Sequence, residues 1–212
     1  DYPTDTTPLK NSPRKRSWFK KDNQVKLINE KSTITVKRLY YETTVPVKIN
    51  DSDFLYINTL YNQLIEDTKR NEFVLKAIIE LHNKDKKLLV LTSKLDHIYY
   101  LKNEIEKSEK KVGFFTQKMS EREINEQQKE TIILSTSALI TDHKFKNIYF
   151  HTVIFLMPIK KLSYFSSWFD KHNPNIIEIV DDNGLSQNFA LCRLKYYRKK
   201  DYDIKDVVFN SE

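Results

Sequence analysis

The chain has 212 residues, with 36 Lys and Arg against 29 Asp and Glu, a formal net charge of +7 and a pI near 9.2. Only two glycines occur, Gly113 and Gly184, which excludes the phosphate-cradling glycine loops, because those need several glycines for close backbone approach. A lone Cys192 excludes a disulfide framework, and no apolar run reaches the length of a membrane span.

A hydrophobic content of 39%, with 12% aromatic residues, supports a packed α/β core rather than disorder. The single cysteine and the lack of a secretory signal point to a soluble protein of a reducing, cytoplasmic compartment. The sequence opens on Asp1 rather than Met, which reads as a fragment, a processed product or part of something longer.

Residues 1–33 differ from the rest. Pro3, Pro8 and Pro13 break regular structure, and Arg14, Lys15, Arg16, Lys20 and Lys21 make a basic, extended arm interrupted by Trp18 and Phe19. The β-branched and aromatic run 34–41 predicts a strand. From Ser52, a plausible N-cap, the spacing of Phe54, Ile57, Tyr61, Leu64 and Ile65 predicts a helix, and a second amphipathic helix covers 70–82. The short apolar run 87–92 predicts a strand buried on both faces.

Ser93 with Asp96 resembles a capping box for a helix through Ile105, and Ser120 with Glu123 repeats the signal after a strand at 112–115. Strands follow at 131–135, 152–156 and 176–180, with helices at about 161–169 and 185–197. Strands alternating with helices imply a mainly parallel sheet covered on both faces.

Several of these segments arrive in a recognisable order. IEDTKRNEFVLKAIIEL precedes KKLLVLTSKLDHIYYLKNEI, and VGFFTQKMSERE then leads to TIILSTSALI, TVIFLMP and IIEIVDD, with a basic YYRKKDYDI tail. Over roughly 34–205 this resembles the C-terminal RecA-like domain of a superfamily 2 DEAD/DEAH-type helicase. Within that superfamily it is most similar to helicases of large cytoplasmic DNA viruses, including the poxvirus-type transcript-release helicases. The resemblance implies two units: a basic arm at 1–33 and a RecA-like domain at 34–212.

The same resemblance exposes losses. In that family the turn after the ILST-type strand carries an acid, a glycine and an aspartate. Asp142 stands at the acidic position here, but His143, Lys144 and Phe145 occupy the rest. The helix after the TVIFLMP strand should present two arginines, one of them facing the γ-phosphate. Such an arginine contributes about 10³–10⁵ in rate, and a lysine lacks its planar fork. The segment 159–173 offers Lys160, Lys161 and Lys171 but no arginine.

The resemblance therefore implies a degenerate motor domain with no catalytic residue of its own. No cofactor is expected for this chain alone; ATP and Mg²⁺ enter only if it is the second half of an active helicase. The expected role is a nucleic-acid-associated or protein-binding module in a larger viral-type assembly, with no membrane and with packaging in a virion as one destination. Two alternatives stand beside it: the second half of a working ATP-dependent helicase, and a structural virion or scaffold subunit.

Candidate nucleic-acid contacts are the arm residues Arg14, Lys15, Arg16, Lys20 and Lys21, the strand-end hydroxyls Ser93, Thr136 and Ser137, and the basic segment Arg193, Lys195, Arg198, Lys199 and Lys200. For Ser93 capping is the preferred reading; for Thr136 capping and phosphate contact stay open. The segment 193–200 reads first as a solvated helix end. Tyr164, Phe165, Trp168 and Phe169 are candidates for a partner-binding hot spot or, equally, ordinary core. The five histidines and Cys192 share no metal-ligand spacing, and Asp181 with Asp182 reads as a structural strand end.

Overall fold

Short apolar runs separated by amphipathic stretches, with a charged edge segment, give seven strands, all parallel, in the computed structural model, which describes residues 34–43, 53–83, 85–142, 144–145 and 147–208. In chain order the elements are β1 (Thr35–Tyr41), α1 (Asp53–Glu66), α2 (Thr68–Leu81), β2 (Leu88–Thr92), α3 (Leu95–Glu106), β3 (Val112–Phe115), α4 (Glu121–Gln127), β4 (Ile132–Thr136), β5 (Thr152–Phe155), α5 (Ser166–His172), β6 (Asn175–Asp181), α6 (Gly184–Lys199) and β7 (Asp203–Val208). The sheet order is β3-β4-β2-β5-β6-β1-β7. The basic arm and the Ser52 cap lie outside the described residues.

Six strands fall where the apolar runs predict them. The seventh, β7, corrects the reading of 196–204 as a basic tail, whose last residues begin a strand: it pairs with β1 from Thr35↔Asp203 to Tyr40↔Val208. As an edge strand it is half-exposed and carries alternating charges, so it lacks the continuous apolar run of the central strands.

The two faces of the sheet are filled by different helices. Phe73, Val74, Ala77 and Ile78 of α2, with Ile98, Leu101 and Ile105 of α3, pack on Leu88, Val90, Leu134, Ile154 and Ile177. On the other face the aromatic residues of α5, with Ile124 and Tyr197, cover Leu89, Leu91, Ile133, Val153, Phe155 and Ile176. Close packing at the β3 edge requires Gly113, where an added Cβ would lie 2.5 Å from the Gln127 carbonyl oxygen. Helix α1 lies over the end of β5: Leu60 and Leu64 pack with Met157, and the Tyr61 hydroxyl donates to the Pro158 carbonyl at 2.9 Å.

A charged row crosses three strands. Arg38 of β1 sits in register with Glu178 of β6 on one side and Asp206 of β7 on the other. Its Nε donates to Glu178 Oε1 at 2.8 Å and its second nitrogen to Asp206 Oδ1 at 3.2 Å. From α6 above, Arg193 donates through Nε to the other Glu178 oxygen, and the Tyr197 hydroxyl reaches the same oxygen at 2.9 Å. Burial opposes charge on Arg38, but the hydrogen bond and charge of Glu178 outweigh it and leave the guanidinium pKa raised. Burial, then the Glu178 carboxylate, pushes the Tyr197 hydroxyl well up, so it stays a donor.

Breaking a buried pair strands an uncompensated charge. Glu178→Leu, which leaves Arg38 and Arg193 buried against apolar surface, is expected to cost roughly 3–5 kcal/mol. Arg122→Ala, which removes an exposed contact to Glu126, should change stability by less than about 0.5 kcal/mol. Urea denaturation of both variants checks this; similar midpoints would contradict it.

Candidate functional site

In an open parallel sheet the carboxyl ends of the strands collect the loops that reach ligands. Here that rim brings together Ser93 after β2, Gln117 after β3, Thr136 and Ser137 after β4, and Met157–Lys161 after β5. Thr92 and Thr136 are register partners, so the ends of β2 and β4 lie side by side.

Among the described residues, three rim features make no cap hydrogen bond. Helix α3 begins at Leu95 with Lys94 as N-cap and no side-chain cap hydrogen bond. The buried Ser93 hydroxyl has no hydrogen-bond partner, which overturns the capping box drawn from Ser93 and Asp96: the strand end carries the chain one residue further before the helix opens. Thr136 caps nothing either, although it precedes the 3₁₀ helix Ser137–Thr141. By contrast, the capping box at Ser120 and Glu123 is present, with Ser120 N–H donating to Glu123 Oε2 at 2.7 Å.

Two clefts open on this rim and share Ala138. One, of about 370 Å³, lies among Leu95, Gln117, Thr136, Leu139 and Asp142. The other, of about 510 Å³, lies among Ser137, Ile159, Lys160, Lys161, Tyr164 and Phe165. In the turn beyond β4, Asp142 Oδ1 accepts from the Lys144 N–H at 3.0 Å, while Phe145 is buried against Phe115 with ring centroids 4.9 Å apart. The position that should carry an acid thus serves the core. His143 lies outside the described residues.

The aromatic segment 164–169 divides sharply. Phe165, Trp168 and Phe169 are 3%, 4% and 0% exposed and belong to the core, so as partner-binding residues they are corrected; Tyr164, 65% exposed, is the one left facing outward. Their spacing, extended by His172, is a helical core stripe that marks burial in the sequence itself.

Arg193 needs the same correction. It is buried and spent on Glu178 and on the Ile159 carbonyl at 3.0 Å, so it offers nothing to a ligand. Lys195, Arg198 and Lys199 are exposed, and Lys200 pairs with Asp170 at 3.1 Å. Because α6 returns from the carboxyl end of β6 to the start of β7, this basic segment lies at the amino edge of the sheet, away from Ser93, Thr136 and Ser137. The rim and the basic segment are therefore not one site. Arg14, Lys15, Arg16, Lys20 and Lys21 lie outside the described residues.

A second buried pair escaped the sequence reading. Arg70 of α2 meets Asp181 at the end of β6 through two hydrogen bonds, one of them Nη2 to Oδ2 at 3.0 Å, which confirms a structural use for Asp181. The neighbouring Asp182 accepts from the Thr43 N–H at 2.7 Å. Asp67 caps α2 by accepting from the Arg70 N–H at 3.0 Å. Beside them, buried His97 lies between Thr92 Oγ1 at 2.6 Å and Asn71 Oδ1 at 3.2 Å. The Asn71 amide nitrogen is committed to the Ile65 carbonyl, so its oxygen accepts from His97 Nε2–H and the Thr92 hydroxyl donates to Nδ1. Among the described residues, no group of three or more His, Cys, Asp or Glu could hold a metal ion.

The parallel sheet, its two helical layers and its open carboxyl rim define a RecA-like α/β fold. No protein-family model matches the sequence, and no curated protein matches it. Solved structures do. T4 UvsW superposes with a TM-score of 0.62 at 16% identity over 82% of this chain, which spans 42% of the length of UvsW. S. cerevisiae Dbp5 bound to Nup159, Gle1, IP6 and ADP gives 0.54 at 11% identity over 83% of this chain and 42% of Dbp5. The Dbp5 C-terminal domain bound to Gle1 and IP6 gives 0.51 at 9% identity, covering 66% of this chain and 83% of the domain. These likenesses establish the fold. No helix among the described residues is long and apolar enough to cross a membrane.

Burial, then the Arg70 charge, pulls the His97 pKa down to about 3, against 6.5 for a free imidazole. The folded state therefore binds fewer protons than the unfolded chain, and stability falls as pH drops below about 6.5, with a contribution approaching about 1.4 kcal/mol per pH unit until the folded value is reached. Ring NMR shifts of His97 should stay at their neutral values from pH 7.5 to 5. A titration centred near 6.5 would contradict the assignment.

Proposed function

We propose that this chain is a helicase-like second RecA-type domain that takes no part in ATP turnover and serves as a nucleic-acid-associated module in a larger, viral-type assembly. The observation that carries the reading is where the arginines go. Among the described residues Arg38 and Arg193 are bound to Glu178, Arg70 to Asp181, and Arg122 to the exposed Glu126, while Arg198 lies at the amino edge. Arg70 and Arg193 reach the rim only through buried structural bonds, to Asp181 and the Leu156 carbonyl and to the Ile159 carbonyl, Arg122 stands in the first turn of α4 after β3, and the helix after β5 carries no arginine. Among the described residues, those after β5 do not fit the γ-phosphate contact that an ATP-driven motor requires.

What remains at the rim suits a phosphate backbone. The uncapped α3 N-terminus, the orphaned Ser93 hydroxyl and the strand-end hydroxyl of Thr136, which makes no cap hydrogen bond, are the kind of donors that nucleic-acid backbones use for positioning without sequence readout. The arm residues Arg14, Lys15, Arg16, Lys20 and Lys21 add sequence-independent attraction, and protein partners complete the assembly.

Labelled single-stranded oligonucleotides titrated by fluorescence anisotropy at 25–200 mM salt test the reading. Affinity should fall steeply with salt, by about 0.7 in log–log slope for each phosphate contacted. Replacing Arg14, Lys15, Arg16, Lys20 and Lys21 by Ala should flatten that slope by up to about 3.5. Absence of binding at the lowest salt would favour the scaffold role. Nucleic-acid-stimulated ATP hydrolysis, on adding the other half of any parent protein, would restore the motor.

A further inference from the structure

Resting on the nucleic-acid reading above, we infer that the cleft formed by Lys160, Lys161, Ser137 and Tyr164 is a single-nucleotide subsite, in which a base stacks on Tyr164 and its phosphate meets the two lysines. The cleft is large enough for a nucleotide at about 510 Å³. Its walls divide by chemistry: Ile159 and Phe165 supply an apolar side, and the Ser137 hydroxyl and two ammonium groups supply the polar one.

Among the described residues neither lysine has an ion-pair partner, although lysines elsewhere in the fold are paired, as Lys102 is with Glu106 and Lys200 with Asp170. Among the described residues lining this cleft none carries a carboxylate, whereas the neighbouring cleft contains Asp142. Two unopposed cations on one rim loop favour an anion.

Tyr164 decides what kind of anion. It stands 65% exposed at the mouth of the cleft, while Phe165, Trp168 and Phe169 beside it are buried. An exposed aromatic face beside cations is a stacking platform, and every base offers a π-face to it. An acidic peptide would satisfy the lysines but would leave the ring with no planar partner. Continuity favours a strand: Ala138 lines both clefts, so a chain positioned by Thr136 and the α3 N-terminus runs on into this one.

Anisotropy with a labelled twelve-residue oligothymidylate, and with the same strand carrying abasic sites, tests the subsite in the full chain. Tyr164→Ala should weaken binding to the intact strand by roughly five- to hundredfold and leave the salt slope unchanged, while Tyr164→Phe stays near wild type. The wild type should show the same loss on the abasic strand, and Tyr164→Ala should not distinguish the two strands. Lys160→Ala with Lys161→Ala should lower the slope by about 0.7–1.4. Because all three side chains are exposed, unchanged thermal midpoints are expected to show that the variants fold. Wild-type affinity in Tyr164→Ala would overturn the subsite while leaving the broader reading intact. Failure of the wild type to bind any strand at low salt would overturn both. Polyglutamate that competes in a Tyr164-dependent way would overturn the choice of occupant.

Discussion

A glutamate in the middle of an otherwise apolar strand constrains this molecule more than any other residue. Glu178 is fully buried in the run Ile176–Asp181, where an unpaired carboxylate would be untenable. Its two oxygens are met by Arg38 from β1 and by Arg193 and Tyr197 from α6, and Arg38 extends the row to Asp206 on β7. A one-residue slip of any of these strands would turn the row's members to opposite faces, so the charges fix the register on the β6-β1-β7 side of the sheet. Isolated buried ion pairs contribute little net stability; their use here is to specify one arrangement.

That structural use has a functional consequence. Guanidinium groups are the ordinary means of gripping a transferring phosphoryl group, and this fold has turned its buried ones inward, to Glu178 and Asp181. Among the described residues the rim presents hydroxyls, an uncapped helix start, the Asp142 carboxylate and the lysines after β5. Over β5, α1 packs on Met157 and bonds to Pro158, which leaves the open clefts around β4. On the function proposed above, such a rim holds a backbone rather than stabilising the charge of phosphoryl transfer.

The central architecture was legible because buried parallel strands write themselves as unbroken apolar runs; LLVLT and IILST need no periodicity to be found. The edge strand β7 was not, since half-exposure gives it the charged alternation of a surface segment. The site was less legible than the fold. Phe165, Trp168 and Phe169 read as adhesive until their helical spacing is taken as a core stripe. Arg193 read as a surface cation, although it continues the stripe of Phe189, Ala190 and Tyr197, and a glutamate in β6 demanded a basic partner. Ser93 failed as a cap by a single residue, a shift that depends on where β2 lets go of the sheet. The pairing of Arg70 with Asp181 joins residues 111 positions apart and leaves no local signal at all.

The account stands or falls on whether the buried arginines are committed to carboxylates. Hydrogen exchange and chemical shifts of the arginine Nε–H groups, followed by NMR with and without ATP and Mg²⁺, measure that commitment directly. Arg38, Arg70 and Arg193 should give slowly exchanging Nε–H signals that do not move when nucleotide is added. Rapid exchange at Arg193, or a shift of its signal on adding ATP, would show a guanidinium available to the rim and contradict the account.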